Sequence, residues 1–509
     1  MAWDAIVIGS GIGGLAAAAA LGRQGRKVLL LEQHAIPGGL TPVFRRGPWT
    51  FATGVHYVGG VGEGKDDGFG RLLGWLGDGT LRFAPCDNPY DIVRLPGFEF
   101  GIAHPQAAYR AALLERFPHE APAIDAWFDA CHRARRSALD LFALRGLPRW
   151  LAPVWQLLRG GAVEPWAKRT LAEQLAAIGD ARLRAVLGAR WADHGAPPQS
   201  APFLEHVLVT GSYDHGAWYP VGGPARFAET LLPAVRAAGG ELRTSASVRR
   251  IVVEGGHAVG VVCEQGGARG EERAPWIVSA MGAANTVACL DPEAAAPWRQ
   301  TVEAFSPGLS YAALYLGLEG DLRAAGASSA NVWVYESEDD VTRVWRDPDA
   351  SDAPGFFVSF PSLKDPQSAG APTAEVMAPL DAAAFAPWLD LPPDERPAAY
   401  RELKARVEQR LLAQFTRHFP RLAPLLRFHE MATPATQRRY VGAPGGAAYG
   451  IEMSAERMLS PALRVRTPLP GLLLAGQDVT SPGVEGAFMG GWMAAGADTA
   501  LSVSFSHFA

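Results

Sequence analysis

A glycine-patterned turn close to the start of the chain limits what it can fold into more than any other feature. Ala5-Ile6-Val7-Ile8 is an apolar run of strand length, and Gly9-Ser10-Gly11-Ile12-Gly13-Gly14 follows it directly. An alanine-rich helix over Ile12–Arg23 comes next, then Lys27-Val28-Leu29-Leu30-Leu31, closed by Glu32. Gly9 permits the tight turn out of the strand, Gly11 lets backbone approach a pyrophosphate, and Gly14 allows the helix to pack on the sheet. The helix start at Ile12 and Gly13 offers unpaired N–H groups and partial positive charge to phosphates. Glu32 stands where a carboxylate accepts ribose hydroxyls, which favours FAD or NAD over a 2′-phosphorylated nucleotide.

A second motif lies near the other end. Leu472-Leu473-Leu474-Ala475-Gly476-Gln477-Asp478-Val479 reads as a buried strand ending in a polar turn, and Pro482-Gly483-Val484-Glu485-Gly486-Ala487 opens a closing helix running from Val484 to about Leu501. The pairing predicts a chain that returns to its own cofactor. A rough glycine pattern at Gly60, Gly62 and Gly64 is discounted because no helix start follows it, so a separate nicotinamide domain is not expected.

Between the two motifs, periodicity predicts helices over Ala107–Glu115, Pro122–Phe142, Leu171–Ile178 and Ala181–Leu187, making the region from about 80 to 215 mostly helical. A helix over Arg226–Ala238 precedes short strands at Glu241–Thr244, Val248–Glu254, Ala258–Glu264 and Trp276–Ser279. Further strands are expected at Leu309–Leu318, Val332–Glu336, Phe356–Pro361 and Glu375–Met377, and a long helix at Pro397–Phe419. Loops around 190–217 and 340–372 carry no readable pattern. This organisation assigns residues 1–75, 216–290 and 430–509 to a discontinuous cofactor domain, and 76–215 and 291–429 to a substrate domain with a helical subdomain.

A net charge of −5 gives no electrostatic case for nucleic acid. Cys86, Cys131, Cys263 and Cys289 have no metal-ligand or CxxC spacing, so free thiols and no metal are expected. The first strand begins within a few residues of Met1, leaving no room for a cleaved leader, and no apolar run reaches the roughly 20 residues that span a bilayer. The expectation is a cytoplasmic protein, at most peripheral on a membrane surface. Residues 139–160 hold Trp150 and Trp155 among leucines, with Arg145, Arg149 and Arg159. They read either as an interfacial segment dipping into lipid or as a core helix pair broken by Pro148 and Pro153.

These motifs, with Pro37-Gly38-Gly39, Phe51-Ala52-Thr53-Gly54-Val55-His56-Tyr57, Tyr219-Pro220-Val221-Gly222-Gly223 and the stretch from Ala432-Thr433-Pro434 to Tyr449-Gly450, resemble the flavin-dependent phytoene desaturase, carotenoid isomerase and retinol saturase superfamily, nearest its retinol saturase-like branch. The resemblance implies an α/β fold: a Rossmann-like FAD-binding domain of the glutathione reductase and amine oxidase type, with an inserted mixed α+β substrate domain. It implies that Gly9, Gly11, Gly14 and Glu32 hold the ADP half of FAD with Gly38 and Gly39 nearby, that Val248 backbone contacts adenine, and that Gly476 and Asp478 meet the pyrophosphate or ribityl chain. Gly483, Val484 and Gly486 would put a helix N-terminus against the isoalloxazine pyrimidine, where reduced flavin carries negative charge.

The implied chemistry is redox or isomerisation at a carbon–carbon double bond of an apolar, often isoprenoid substrate. Members of the retinol saturase-like branch deliver a hydride from flavin N5 to one alkene carbon and a proton to the other, with an external electron donor or acceptor completing the cycle. His56, Tyr57, Tyr440, Tyr449 and Glu485 are the candidate proton donors. Desaturase and isomerase readings share these features. An amine oxidase ranks lower, because Lys27, Lys65, Lys168, Lys364 and Lys404 include no compelling flavin-contacting lysine. A flavin-free prenyl-protein carrier of the same fold ranks lowest, given the complete fingerprint.

Overall fold

The computed structural model describes residues 3–62, 68–368 and 370–497. The apolar runs become a five-stranded parallel sheet in the order Leu472–Leu474, Trp276–Ser279, Ala5–Ile8, Val28–Leu31, Glu241–Arg243. Every residue of Ala5–Ile8 and Val28–Leu31 is buried, as parallel strands covered on both faces require. Helix Ile12–Arg23 lies against helix Gly483–Ala495, and the crossing is close because both surfaces are glycine. A Cβ on Gly491 would fall 1.9 Å from the carbonyl oxygen of Gly13. The closing helix is described to Ala495, so its expected end at Leu501 lies outside the described residues, as do Gly64 and Lys65.

An antiparallel meander of Ala246–Glu254, His257–Gln265 and Ala268–Arg273 stands beside this sheet. The larger, seven-stranded sheet runs Leu426–Ala432, Ser310–Leu318, Thr373–Leu380, Gly355–Ser359, Asn331–Tyr335, Asp91–Leu95, Phe98–Ile102. Its strand Ser310–Leu318 is buried throughout, and its alternation feeds two cores. Tyr311, Ala313 and Tyr315 face the helical region, whereas Ala312, Leu314 and Leu316 face helix Ala398–His418.

Three expectations need correction. The region after residue 80 begins with strands: Asp91–Leu95 and Phe98–Ile102 form a hairpin turned at Pro96-Gly97, and its first strand pairs in parallel with Asn331–Tyr335. Five-residue alternation is too short to stand out from the helices that follow. The stretch 190–217 is not a plain loop but holds a 3-10 turn, Ala189–His194, and a helix, Phe203–Gly211. Arg145 does not belong to a lipid-facing set: it is buried and donates to the carbonyls of Arg457, Met458, Ser460 and Leu463.

Residues 139–160 span the end of helix Ala121–Gly146 and the start of Ala152–Lys168, two helices packed together. Leu141, Leu144 and Ala152 are buried, yet Leu139, Trp150, Val154, Leu157 and Leu158 are exposed. The segment is therefore a helix pair with an apolar outer face. No described helix is long and apolar enough to cross a membrane. The four cysteines are free.

Candidate functional site

Backbone makes the first half of the site. Gly9 leaves its strand at φ +91°, a conformation that side chains resist, and a Cβ on Gly14 would lie 1.9 Å from Gly9 oxygen. A Cβ on Gly13 would come within 2.6 Å of Gly476 Cα, so the two distant motifs touch through backbone alone. Gly38 bridges to Gly11, and Gly39 approaches Gly11 as closely. Around this junction Gly11, Gly476 and Gly483 each face open space. The result is a cleft lined by bare backbone between the fingerprint and the closing helix.

Two carboxylates flank it. Glu32 Oε2 accepts from Ser10 N at 2.8 Å and Ser10 Oγ at 2.6 Å, and Oε1 accepts from His34 N at 2.8 Å. This pins the group while leaving lone pairs for hydroxyl donors. Asp478 Oδ2 accepts from Ala283 N at 2.8 Å, but its buried Oδ1 has no hydrogen-bond partner, and Arg457 Nη2 stays 3.9 Å away. A buried acceptor left open in this way is one a ligand hydroxyl or water satisfies. Val248 sits at a bulge where pairing with the next strand shifts, with its carbonyl 3.9 Å from Cys289 Sγ. Gly483, Val484 and Gly486 form the first turn of the closing helix. An extended dinucleotide with ribose and ribityl hydroxyls, such as FAD, fits these groups.

Side chains make the second half. A chamber of about 60 Å³ lies between the loops Leu40 and Gly54–His56 and the large sheet, walled by Tyr311, Trp333, Phe357 and Met377. Ala448-Tyr449 closes it, and the next residue, Gly450, abuts Asp478 Oδ1. Leu40, Thr53 and Gln437 are shared with an outer cavity of about 440 Å³, lined by Val43, Phe44, Tyr315 and Met431. The two cavities therefore adjoin, the outer one lined by these apolar groups and also by Arg46, Arg396, Lys404, Glu430 and Arg439.

The structure gathers three of the five candidate proton donors. His56 and Tyr449 line the chamber. Tyr57 stands just behind, its hydroxyl 2.9 Å from Asp193 Oδ2 and 3.4 Å from Asp91 Oδ2. Tyr440 lies instead in the outer cavity, half exposed and edge-on to His34. Glu485 is on the first turn of the closing helix beside Gly60, in neither cavity.

Several groups were not anticipated. Asp193 is on the chamber wall, and burial, with the nearby Asp91 charge, pushes its carboxyl up to about 7. Asp91, fully buried, is also pushed upward by burial; it accepts from Asn331 at 3.1 Å and lies 3.5 Å from Arg190. Glu375 accepts from Ala52 N at 2.6 Å and comes within 2.8 Å of His56 Nδ1, in a geometry that falls short of a hydrogen bond. Lys364, one of the lysines set aside, is buried and donates to His56 O, Ser359 Oγ and Asn331 Oδ1. All three of its hydrogens are thereby engaged, which makes it a pin between loop and sheet.

Comparisons with known proteins agree with this architecture. A family model described as an NAD(P)-binding Rossmann-like domain matches residues 7–66. The chain is 31% identical to the all-trans-retinol 13,14-reductase of Homo sapiens over 96% of its own length and 84% of that protein. It is 26% identical to the chloroplastic prolycopene isomerase of Arabidopsis thaliana, over 88% of this chain and 74% of the other. Among solved structures, cyclohexylamine oxidase from Brevibacterium oxydans superposes with a TM-score of 0.60 at 18% identity, covering 98% of both chains, a likeness of fold.

Proposed function

The chain belongs to the superfamily of phytoene desaturases, carotenoid isomerases and retinol saturases, on its retinol saturase-like branch, and from that membership we propose that this oxidoreductase uses FAD to saturate a carbon–carbon double bond of an apolar, isoprenoid polyene. The observation that carries the reading is the pair of adjoining cavities: the inner one, walled by Tyr311, Trp333, Phe357 and Met377, brings ionisable side chains beside the dinucleotide cleft. FAD, once reduced by an external donor, supplies the hydride such a saturation needs.

The chain's own residues do the rest. Glu32 and Asp478 hold hydroxyls at the two ends of the cleft, and the glycine junction admits the pyrophosphate. Trp333, Phe357 and Met377 exclude water and hold the polyene against the cleft edge. Tyr449 and His56 border the reacting carbons, with Tyr57 just behind. The exposed Leu139, Trp150, Val154, Leu157 and Leu158 favour peripheral contact with a membrane surface, a reservoir for apolar substrate.

The likeness to an isomerase gives a second reading, and product mass separates the two. The proposed function predicts that anaerobic holoprotein with a reductant converts retinol to a product heavier by two hydrogens. A product of unchanged mass but altered geometry establishes isomerisation instead, and loss of two hydrogens with an oxidant establishes desaturation.

A further inference from the structure

Saturation of a double bond needs an acid on the chamber wall, and the three residues gathered there from sequence serve poorly. Burial raises both Tyr57 and Tyr449 well above the ordinary phenol range, and His56 is held against Glu375. Asp193 differs in place and surroundings. It lies one residue before the end of the 3-10 turn Ala189–His194, which the long strand Ser310–Leu318 anchors through a Tyr311 hydroxyl bond to Ala192 O. It is mostly buried, lines the chamber and accepts from the Tyr57 hydroxyl. Glu205 provides the contrast: it too is pushed up to about 7 by burial, but it is bonded to Ser481 and lines neither cavity.

We propose that Asp193 is the acid that protonates the substrate, with Tyr57 as its positioning partner. The inference rests on the reading of the chamber as the place where a polyene is saturated. Bound FAD, reduced by an external donor, would supply a hydride to one alkene carbon, and its neighbour would receive the Asp193 proton. The π bond is replaced by two C–H bonds, and a carboxylate remains. The Tyr57 hydroxyl, 2.9 Å away, donates to that carboxylate, and water returns the proton. Behind Tyr57, Asp91 is held by Arg190, which also lines a cavity of about 150 Å³ shared with Asp214, Tyr90 and Tyr213. That volume accommodates water, the source of the replacement proton.

The charged and titratable groups facing Asp193 set the direction of its pH dependence. Asp91 raises its proton affinity, while the Tyr57 hydroxyl and Arg190 lower it. Tyr213, Tyr311, Tyr335 and Tyr449, all kept neutral by burial, and His56 across the chamber complete the surroundings.

Three variants of the holoprotein test this: Asp193→Asn, Asp193→Glu and Tyr57→Phe. Without any polyene, infrared difference spectra of wild type against Asp193→Asn are expected to contain a neutral-carboxyl band that fades as pH rises through about 7. After anaerobic reduction, reoxidation of the flavin by retinol is expected to slow by about 10²–10⁴-fold in Asp193→Asn, with partial recovery in Asp193→Glu. The wild-type rate is expected to fall above about pH 7, and Tyr57→Phe to move that fall to higher pH, because the lost hydroxyl bond had held the affinity down. An infrared spectrum without that band, or an Asn variant reoxidised as fast as wild type, overturns the assignment and leaves the proposed function standing. A wild-type protein that no polyene reoxidises overturns the functional reading beneath it.

Discussion

The cofactor cleft and the substrate chamber meet at Leu40 and Tyr449-Gly450, yet they are built from different materials. The cleft is backbone: glycines at contact distance, helix ends, and two carboxylates pinned by N–H groups. The chamber is side chains carried by strands and loops far apart in sequence, joined by Tyr57–Asp193, His56–Glu375 and Lys364–His56 contacts. Damage to the first should cost the fold and the cofactor together. Damage to the second should cost chemistry first, because the chamber's polar groups are mounted on a sheet that stands without them.

The sharpest way to break this contrast is to add one methyl group to the cleft. Gly14→Ala places a Cβ 1.9 Å from Gly9 oxygen, where neither backbone can yield, and should cost about 1–3 kcal/mol or more with loss of bound flavin. Gly161→Ala, in the exposed middle of a helix with nothing near, should change stability by no more than about 0.5–1 kcal/mol, upward. Urea titration with flavin absorbance reads both.

A smaller effect is expected at the chamber's support. Glu375→Ala strands the Ala52 N–H and removes the partner of His56, and should cost about 1–3 kcal/mol while flavin is retained. Glu375→Gln keeps an acceptor for Ala52 and should cost less. Equal flavin loss in Gly14→Ala and Glu375→Ala would erase the distinction between the regions.

Smaller still is a pH effect on stability. Asp193 binds its proton more tightly in the folded chain, at about 7, than an unfolded aspartate does. Its contribution is therefore complete below about pH 4 and is lost as pH rises through about 7. Asp193→Asn should match wild type in thermal midpoint near pH 4 and exceed it near pH 8, leaving the similar slope from Glu205 in place. The buried pair His194 and His206 acts oppositely: burial holds both below the ordinary imidazole range, so acid weakens the fold below about pH 6.5. Melting curves across pH separate these slopes.

The least effect on stability belongs to the outer face. Leu157→Ser with Leu158→Ser removes exposed apolar groups and should leave the unfolding free energy within about 0.5 kcal/mol of wild type. Sedimentation with anionic vesicles should fall, while turnover of detergent-dispersed retinol stays unchanged.

The same contrast explains what could be read from residues alone. Fingerprint, Glu32 and the Gly476–Gly486 turn are local patterns, because tight backbone approach demands particular residues at particular spacings. Apolar runs located four of the seven strands of the large sheet, but not the hairpin Asp91–Leu95 and Phe98–Ile102, nor Leu426–Ala432, nor which strand lies beside which. Tyr315 pairs with Glu375, and Asn331 with Asp91, only through strand register, and no local pattern announces either. Asp193 is one acid between Ala192 and His194, given meaning by a chamber enclosed by segments as far apart as Leu40 and Tyr449. Lys364 was passed over for the same reason: its burial follows from Ser359, Asn331 and His56 converging on it.

The central claim is that a flavin held between the two ends of this chain reduces a polyene in the adjoining chamber. Its most direct test is anaerobic mixing of the dithionite-reduced holoprotein with all-trans-retinol, with the flavin spectrum followed in time. Return of the oxidised flavin spectrum, in step with appearance of a product carrying two more hydrogens, is the predicted result. A flavin that stays reduced in the presence of retinol and carotenoid polyenes alike, or a protein that retains no flavin after gentle purification, contradicts it.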